Sequence, residues 1–222
     1  MRGVFVTGTG TEVGKTMAAA AIARTLRADG ERIGVFKPAV SGLDDYVRSG
    51  EAPDHELLRI AAGSAQTDDE IAPYRYGPPV SPHLAAALDG ESISPERLRA
   101  AAHAAGEACD ALVCEGVGGL LVPLTMGYLV RDFARDLALP VVVAASPGLG
   151  TINHTLLTIE AARAVGLEVA AVVLTPWPDE PAEIERSNRV SIERLGAVEV
   201  LVLGRLEPAD PASWPRLLVP GL

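Results

Sequence analysis

The run Gly8-Thr9-Gly10-Thr11-Glu12-Val13-Gly14-Lys15-Thr16 constrains the chain more than any other stretch. It follows the apolar triplet Val4-Phe5-Val6 and leads into an alanine-rich segment, residues 17–26, so a strand, a glycine loop and a helix are predicted in that order. Glycines let successive backbone N–H groups turn inward on a polyphosphate, while the helix points its positive N-terminal end at the same anion. Lys15 adds a point charge at the outer phosphates, and the Thr16 hydroxyl is placed to ligate Mg²⁺. The spacing departs from the usual glycine, four residues, Gly-Lys-Ser/Thr: five residues separate Gly8 from Gly14, and Thr9 stands where the first glycine belongs. A plain glycine turn is the alternative, and Gly-Lys-Thr at a helix start directly after the first strand argues against it.

The basic residues carry a second signal. Of 19, seventeen are Arg and only two are Lys, Lys15 and Lys37. A site that needs a compact ammonium cannot accept the guanidinium fork, so Lys37 is marked as a chemical residue. It closes the apolar run 32–36 and precedes Pro38, which lacks an N–H and ends strand pairing. Lys37 is therefore expected at the carboxyl end of its strand, the end that carries the ligand crevice in open parallel sheets. The net charge of −10 and pI near 4.9 argue against a nucleic-acid partner, which needs a basic face. The opening residues do not read as a leader and no apolar run reaches the roughly 20 residues of a membrane span, so no membrane partner and a cytoplasmic location are expected. Cys109 and Cys114 are too few for a disulfide framework or a metal site and read as small buried hydrophobes.

A chain of 222 residues suits one domain, residues 1–222. Asp29-Gly30 ends the first helix. Residues 39–53 read as a long loop, the kind that usually has a task or is mobile. An amphipathic helix starts at Asp54, a good N-cap, with His55 expected on the exposed first turn. Residues 71–82 are irregular and proline-rich; Ser81-Pro82 reads as a helix start, with His83 a lesser candidate for facing a ligand. A helix at 95–107 leads to the strand 111–114, after which comes Glu115-Gly116-Val117-Gly118-Gly119. A carboxylate at the tip of a buried strand is expensive unless paired or metal-bound, which makes Glu115 a Mg²⁺ ligand or a direct catalytic group. Its glycines, Gly116 and Gly118 among them, permit close backbone approach to a nucleotide or to a loop of a second chain. A helix at 128–139 and an aliphatic strand at 140–145 follow, then Ser146-Pro147-Gly148-Leu149-Gly150-Thr151-Ile152-Asn153-His154, an anion-friendly helix start or a plain turn and cap. The strand 169–174, then Thr175-Pro176, a helix at 182–195, a strand at 198–203 and a proline-rich tail complete the chain. Strands alternating with helices predict a single-domain α/β fold: a doubly wound, mostly parallel sheet of the phosphate-loop NTPase type with helices on both faces. Gly8, Lys37, Glu115 and Ser146 are expected along one edge.

Taken in order, Gly8 to Thr16, Lys37-Pro38 with Ser41-Gly42, Asp54, Ser81-Pro82-His83, Glu115 to Gly119 and Gly150 to His154 resemble the dethiobiotin synthetase family across essentially the whole chain. The resemblance implies a homodimeric, ATP- and Mg²⁺-dependent ligase that closes the ureido ring of dethiobiotin from 7,8-diaminononanoate and CO₂. It implies Thr16, Asp54 and Glu115 as Mg²⁺ ligands, and Thr11, Glu12, Val13, Gly14, Lys15 and Thr16 as the phosphate cradle. Glu115, Gly116, Thr175 and Pro176 complete the nucleotide site; Thr175 stands where the family often has Asn at the adenine edge. Thr11, Lys37, Ser41 and Gly118 are expected at the substrate, with Lys37 and Lys15 as the catalytic cations. Leu149, Gly150 and Asn153 would reach the substrate carboxylate of the partner subunit. In this chemistry a carbamate takes the γ-phosphoryl group and the resulting carbamic–phosphoric anhydride is closed by the second amine. No side-chain nucleophile is needed, and positioning with charge stabilisation carries catalysis. A nucleotide-switched ATPase of the ParA/MinD kind shares these fold expectations, but such proteins usually carry an extra lysine early in the loop, where this chain has Thr9, Gly10 and Thr11.

Overall fold

The computed structural model describes residues 1–208 and 210–222. Strand β1 (Gly3–Gly8) is buried throughout, and its side chains divide between two cores. Val4 and Val6 face one side, and Phe5 faces the other. That division is what an apolar run does when helices cover both faces of a sheet.

Helix α1 (Lys15–Ala28) follows, then β2 (Ile33–Phe36), α2 (Leu43–Ser49), α3 (Asp54–Ala62) and α4 (Asp68–Ile71). Helices α5 (Pro82–Leu88) and α6 (Pro95–Glu107) lead to β3 (Ala111–Glu115). A small antiparallel hairpin of β4 (Pro123–Thr125) and β5 (Tyr128–Leu129) precedes α7 (Val130–Leu137) and β6 (Val141–Ala145). The chain ends with α8 (Thr151–Arg163), β7 (Val169–Trp177), α9 (Glu183–Gly196), β8 (Glu199–Gly204) and a short 3₁₀ turn, Pro211–Ser213.

The main sheet has six strands in the order β2-β3-β1-β6-β7-β8, and every pairing is parallel. After β3 the winding reverses across β1, which puts the crevice of a doubly wound sheet at the carboxyl tip of β1, where the glycine loop starts. Helices α1 and α3 with the C-terminal segment cover one face, and α5 to α9 cover the other. On the first face Ala18, Ala19, Ala20, Ala21, Ile22 and Ala23 of α1 are all fully buried, so this alanine-rich helix is enclosed on every side, between the sheet and α3. The proline-rich tail seals this layer: the Leu217 N–H donates to the Thr25 hydroxyl at 2.8 Å, and Trp214 and Leu217 are buried. On the second face Phe133 packs edge-on to Phe5, centroids 6.1 Å apart, and tilted against Phe36 at 5.9 Å.

Three expectations need correction. Residues 39–53 are not an unstructured loop, because α2 forms within them; it buries no residue, so it left no apolar period to read. The helix expected at 128–139 begins two residues later, after β5. His55 is buried at 3% exposure, because α3 turns its first-turn histidine inward beside Asp68. No helix among the described residues is long and apolar enough to cross a membrane.

Phe133 is fully buried and packs against Phe5 of β1 and Phe36 of β2. Phe133→Ala should lower the unfolding free energy by about 3–5 kcal/mol, read as a fall in the urea midpoint at unchanged slope. A loss below 1 kcal/mol would show that the aromatic cluster is not tightly packed.

Candidate functional site

Strand register assembles the site. Phe36 pairs with Cys114, so the next residues, Lys37 and Glu115, emerge side by side from β2 and β3. Glu115 in turn pairs with Val6 of β1, two residues before Gly8. The Lys37 ammonium lies 2.6 Å from Glu115 Oε1 and 2.7 Å from Asp54 Oδ2. The Thr16 hydroxyl donates to Glu115 Oε1 at 2.9 Å. Five residues from four elements thus converge, because Lys15 stands beside Thr16 at the start of α1 and is also buried.

The loop before α1 has the curvature of an anion cradle. Glu12 and Gly14 adopt left-handed backbone, φ 58° and 84°, and alternation of this kind turns neighbouring N–H groups to one side. A Cβ at Gly14 would lie 2.4 Å from Thr175 Cγ2, so Thr175 holds the loop from behind. A Cβ at Gly8 would lie 2.7 Å from Val13 Cγ2 and 2.8 Å from Lys15 Cγ, so the loop closes on itself only around glycine. Lys15 Nζ donates to the Gly10 carbonyl at 2.7 Å and spans the loop. Gly116 donates to the Val6 carbonyl, and Gly119 packs toward the Gly8 carbonyl, which sets the second glycine stretch beside the first.

The charges respond to this burial. For Lys37, burial works against the ammonium, but Asp54 and Glu115 outweigh it and raise the pKa above the ordinary lysine value. For Asp54, burial is likewise outweighed, here by the Lys37 charge, and the carboxyl is held down at about 2. Burial pushes the Glu115 carboxyl up, against the pull of Lys37. Burial also lowers the Lys15 pKa. Glu115 is fully buried, and its Oε2 has no hydrogen-bond partner among the described residues. Two carboxylates and a hydroxyl form an oxygen-only donor set with one unshared buried oxygen, which suits a hard divalent cation such as Mg²⁺.

Not every expected residue joins this cluster. Asp54 is not the N-cap of α3: Pro53 holds that place and Asp54 is the first helical residue, so its carboxylate turns to Lys37. Ser41 is half-buried just before Gly42, which caps α2. Gly118 (φ 62°) turns the stretch after β3, and Thr175 and Pro176 lie within β7, joined by a cis peptide bond. Leu149, Gly150 and Asn153 are exposed at the start of α8, Leu149 at 93%. Sequence reasoning missed Tyr46 on α2, whose hydroxyl donates to Asp54 Oδ1 at 2.9 Å; a lone aromatic in a polar stretch was the available signal. It also missed that His154 and Leu157 of α8 face residues 8–11 across a cavity of about 480 Å³, which residues 119–122 also line.

Residues 2–216 match the family model described as AAA domain. The chain is 37% identical over 201 residues to the ATP-dependent dethiobiotin synthetase BioD of Bacillus subtilis (strain 168), across 90% of this chain and 86% of that relative. It is 45% identical over 208 residues to the protein of the same name from Anaeromyxobacter dehalogenans (strain 2CP-1 / ATCC BAA-258), across 94% of this chain and 92% of the relative. Among solved structures, the cell division ATPase MinD of Pyrococcus furiosus superimposes with a TM-score of 0.55 at 17% identity, covering 96% of this chain and 86% of that one, a likeness of fold alone.

Two outcomes follow from this geometry. Gly14→Ala combines a left-handed backbone, a strain of roughly 1–2 kcal/mol for a side chain, with a clash on Thr175. Affinity for a fluorescent ATP analogue should fall about tenfold or more, and Thr175→Ser, which removes the clashing methyl, should recover part of it. Unchanged affinity in the single variant would mean that the loop does not need glycine there. The Asp54 carboxyl is held down in the folded state, so its stabilisation is fully present above about pH 4 and is lost as the pH falls toward 2. The stability gap between wild type and Asp54→Asn, from urea melts, should therefore close over that window. A gap constant from pH 5 to pH 2 would refute the Lys37–Asp54 pairing.

Proposed function

Because the chain belongs to the ATP-dependent dethiobiotin synthetase family, we propose that it closes the ureido ring of dethiobiotin from 7,8-diaminononanoate, CO₂ and ATP. The observation that carries this reading is the Lys37 ammonium, buried between Asp54 and Glu115 beside the phosphate-loop Thr16. An ammonium offers three N–H bonds. Asp54 and Glu115 take two, which leaves one for a carbamate oxygen.

One diamine nitrogen attacks CO₂, forming a C–N bond and releasing a proton, and the product is a carbamate. A carbamate oxygen then attacks the γ-phosphorus, and the bond to the ADP oxygen breaks. The second amine attacks the carbonyl carbon of the anhydride, phosphate leaves, and the five-membered ureido ring is closed. Lys37 stays a cation throughout, since its neighbours hold the proton on, so it orients the carbamate and offsets charge rather than removing a proton. Lys15, tied across the loop to Gly10, is placed at the transferring phosphoryl oxygens. Residues 11–16 cradle the phosphates, with Glu115, Gly116, Thr175 and Pro176 completing the nucleotide site. Thr16, Asp54 and Glu115 would hold Mg²⁺, which supplies charge neutralisation on the phosphates when bound. Thr11, Lys37, Ser41 and Gly118 line the substrate side.

Leu149, Gly150 and Asn153 serve the substrate carboxylate of a partner subunit in a homodimer. Their exposure supports this, as does the N-cap of α8, Gly150, which has no side chain to cap the helix and so leaves its end open to an anion.

Purified protein given ATP, Mg²⁺, bicarbonate and the diamine should yield dethiobiotin by mass spectrometry, with ADP formed only when the diamine is present. Diamine-independent hydrolysis without ring-closed product would sink the reading. Lys37→Arg should reduce turnover by about 10²–10³-fold while nucleotide binding persists, because a guanidinium cannot occupy the narrow space between the two carboxylates. Near-normal turnover would refute the carbamate role.

A further inference from the structure

At the opposite end of the sheet from the phosphate loop lies a cavity of about 710 Å³, larger than the one beside the loop. Edge strand β2 contributes Ile33 and Gly34 to its wall, and α6 contributes the small apolar residues Ala101, Ala104, Ala105 and Ala108. The open edge of β2 cannot take an added strand. The Gln66 side chain accepts from the Val35 N–H at 2.9 Å and donates to its carbonyl at 3.1 Å, and the Lys37 N–H donates to the Ile71 carbonyl. An edge closed in this way leaves the space to a small molecule rather than to an extended peptide.

Three arginines and three carboxylates line the cavity, but they are not paired with one another. Two of the carboxylates are in ion pairs with arginines outside it, Glu31 with Arg2 and Asp69 with Arg75, while Glu70 is bonded to the Thr67 backbone and hydroxyl, both neutral. Arg32 is paired with Asp110. Arg27 and Arg97 have no carboxylate partner among the described residues, and both are held in place by neutral groups. Arg27 donates to the Ile60 carbonyl, and its guanidinium lies over Gly63, where a Cβ would come within 2.2 Å of Cζ. Arg97 donates to the Pro73 carbonyl, and its Cζ stands 4.7 Å from the centroid of the Tyr74 ring. In a chain of net charge −10, two positioned guanidinium groups without a carboxylate partner, against the single carboxylate of Glu70, leave the rim of this cavity locally positive.

We propose that this cavity is a second small-molecule site, separate from the nucleotide and substrate site, and that it takes an anion with an apolar body. The apolar part lies against the α6 alanines and Ile33, and the acidic group meets Arg27 and Arg97. Its position gives it consequence. Arg27 belongs to the last turn of the helix that begins with Lys15 and Thr16, and Gly34 to the strand that leads into Lys37. Gly63 caps the helix that begins with Asp54, and Cys109 precedes the strand that ends in Glu115. The same four elements therefore have one end at each site, and α1 alone spans roughly 21 Å between them.

The test uses sodium octanoate as the probe, with octylamine as the opposite-charge control, titrated calorimetrically into the full chain. Octanoate should bind at one saturable site and octylamine at least tenfold more weakly. Arg97→Gln, an exposed substitution, and Ala101→Phe, which fills the cavity, should each weaken octanoate at least tenfold while leaving affinity for a fluorescent ATP analogue unchanged. The proposal is overturned if octanoate shows no saturable binding, if octylamine binds equally well, or if octanoate binding survives either substitution, which would place it elsewhere.

Discussion

The carboxyl edge of the sheet depends on one buried ion cluster, the Lys37 ammonium between the Asp54 and Glu115 carboxylates. Removing ions from water costs several kcal/mol each, and attraction in the interior offsets this only when geometry is close and the remaining donors and acceptors are satisfied. Here the geometry is supplied by parallel register, which sets Lys37 beside Glu115, and by the first turn of α3, which brings in Asp54. Satisfaction is left incomplete. Two anions face the Lys37 cation, and Glu115 Oε2 stays without a hydrogen-bond partner among the described residues. A protein optimised for stability alone would not retain such an arrangement, whereas the proposed receipt of a metal ion and a polyphosphate gives it a reason.

The use of lysine follows from the same constraint. Lys15 and Lys37 each place a compact charge against oxygens at 2.6–2.7 Å in a buried setting. A planar guanidinium would need more room and more acceptors than these positions supply. Elsewhere the chain uses arginine, at the surface, where the fork has space: on Asp110, on Asp29, and over the Tyr74 and Tyr128 rings.

How far sequence reasoning reached depends on whether a residue's role was local or tertiary. The aliphatic runs of β1, β3 and β6 and the loop at Gly8 were legible because burial on both faces leaves a continuous apolar record and a phosphate loop requires glycine at fixed places. Lys37 was legible from Pro38 and from the scarcity of lysine. Helix α2 was not, since it buries nothing and has no apolar stripe. Tyr46 was lost with it, because its bond to Asp54 exists only once α2 folds back toward α3. His55 was misjudged because its burial comes from packing beside Asp68, thirteen residues away, rather than from helical period. The β4–β5 hairpin, with strands of three and two residues, is too short to leave an alternating pattern.

The alanines of α1 carry a further implication. With side chains of a single carbon at residues 18–21 and 23, all fully buried, the helix is enclosed on every side and packs closely between the sheet and α3. A larger residue at a position that faces the sheet must lift the helix away, and the first residues of that helix are Lys15 and Thr16. The clearance between helix and sheet therefore also sets the height of the proposed phosphate site. In this part of the molecule, packing tolerance and chemical alignment are one dimension, and sequence drift in the core is limited by the site as much as by the fold.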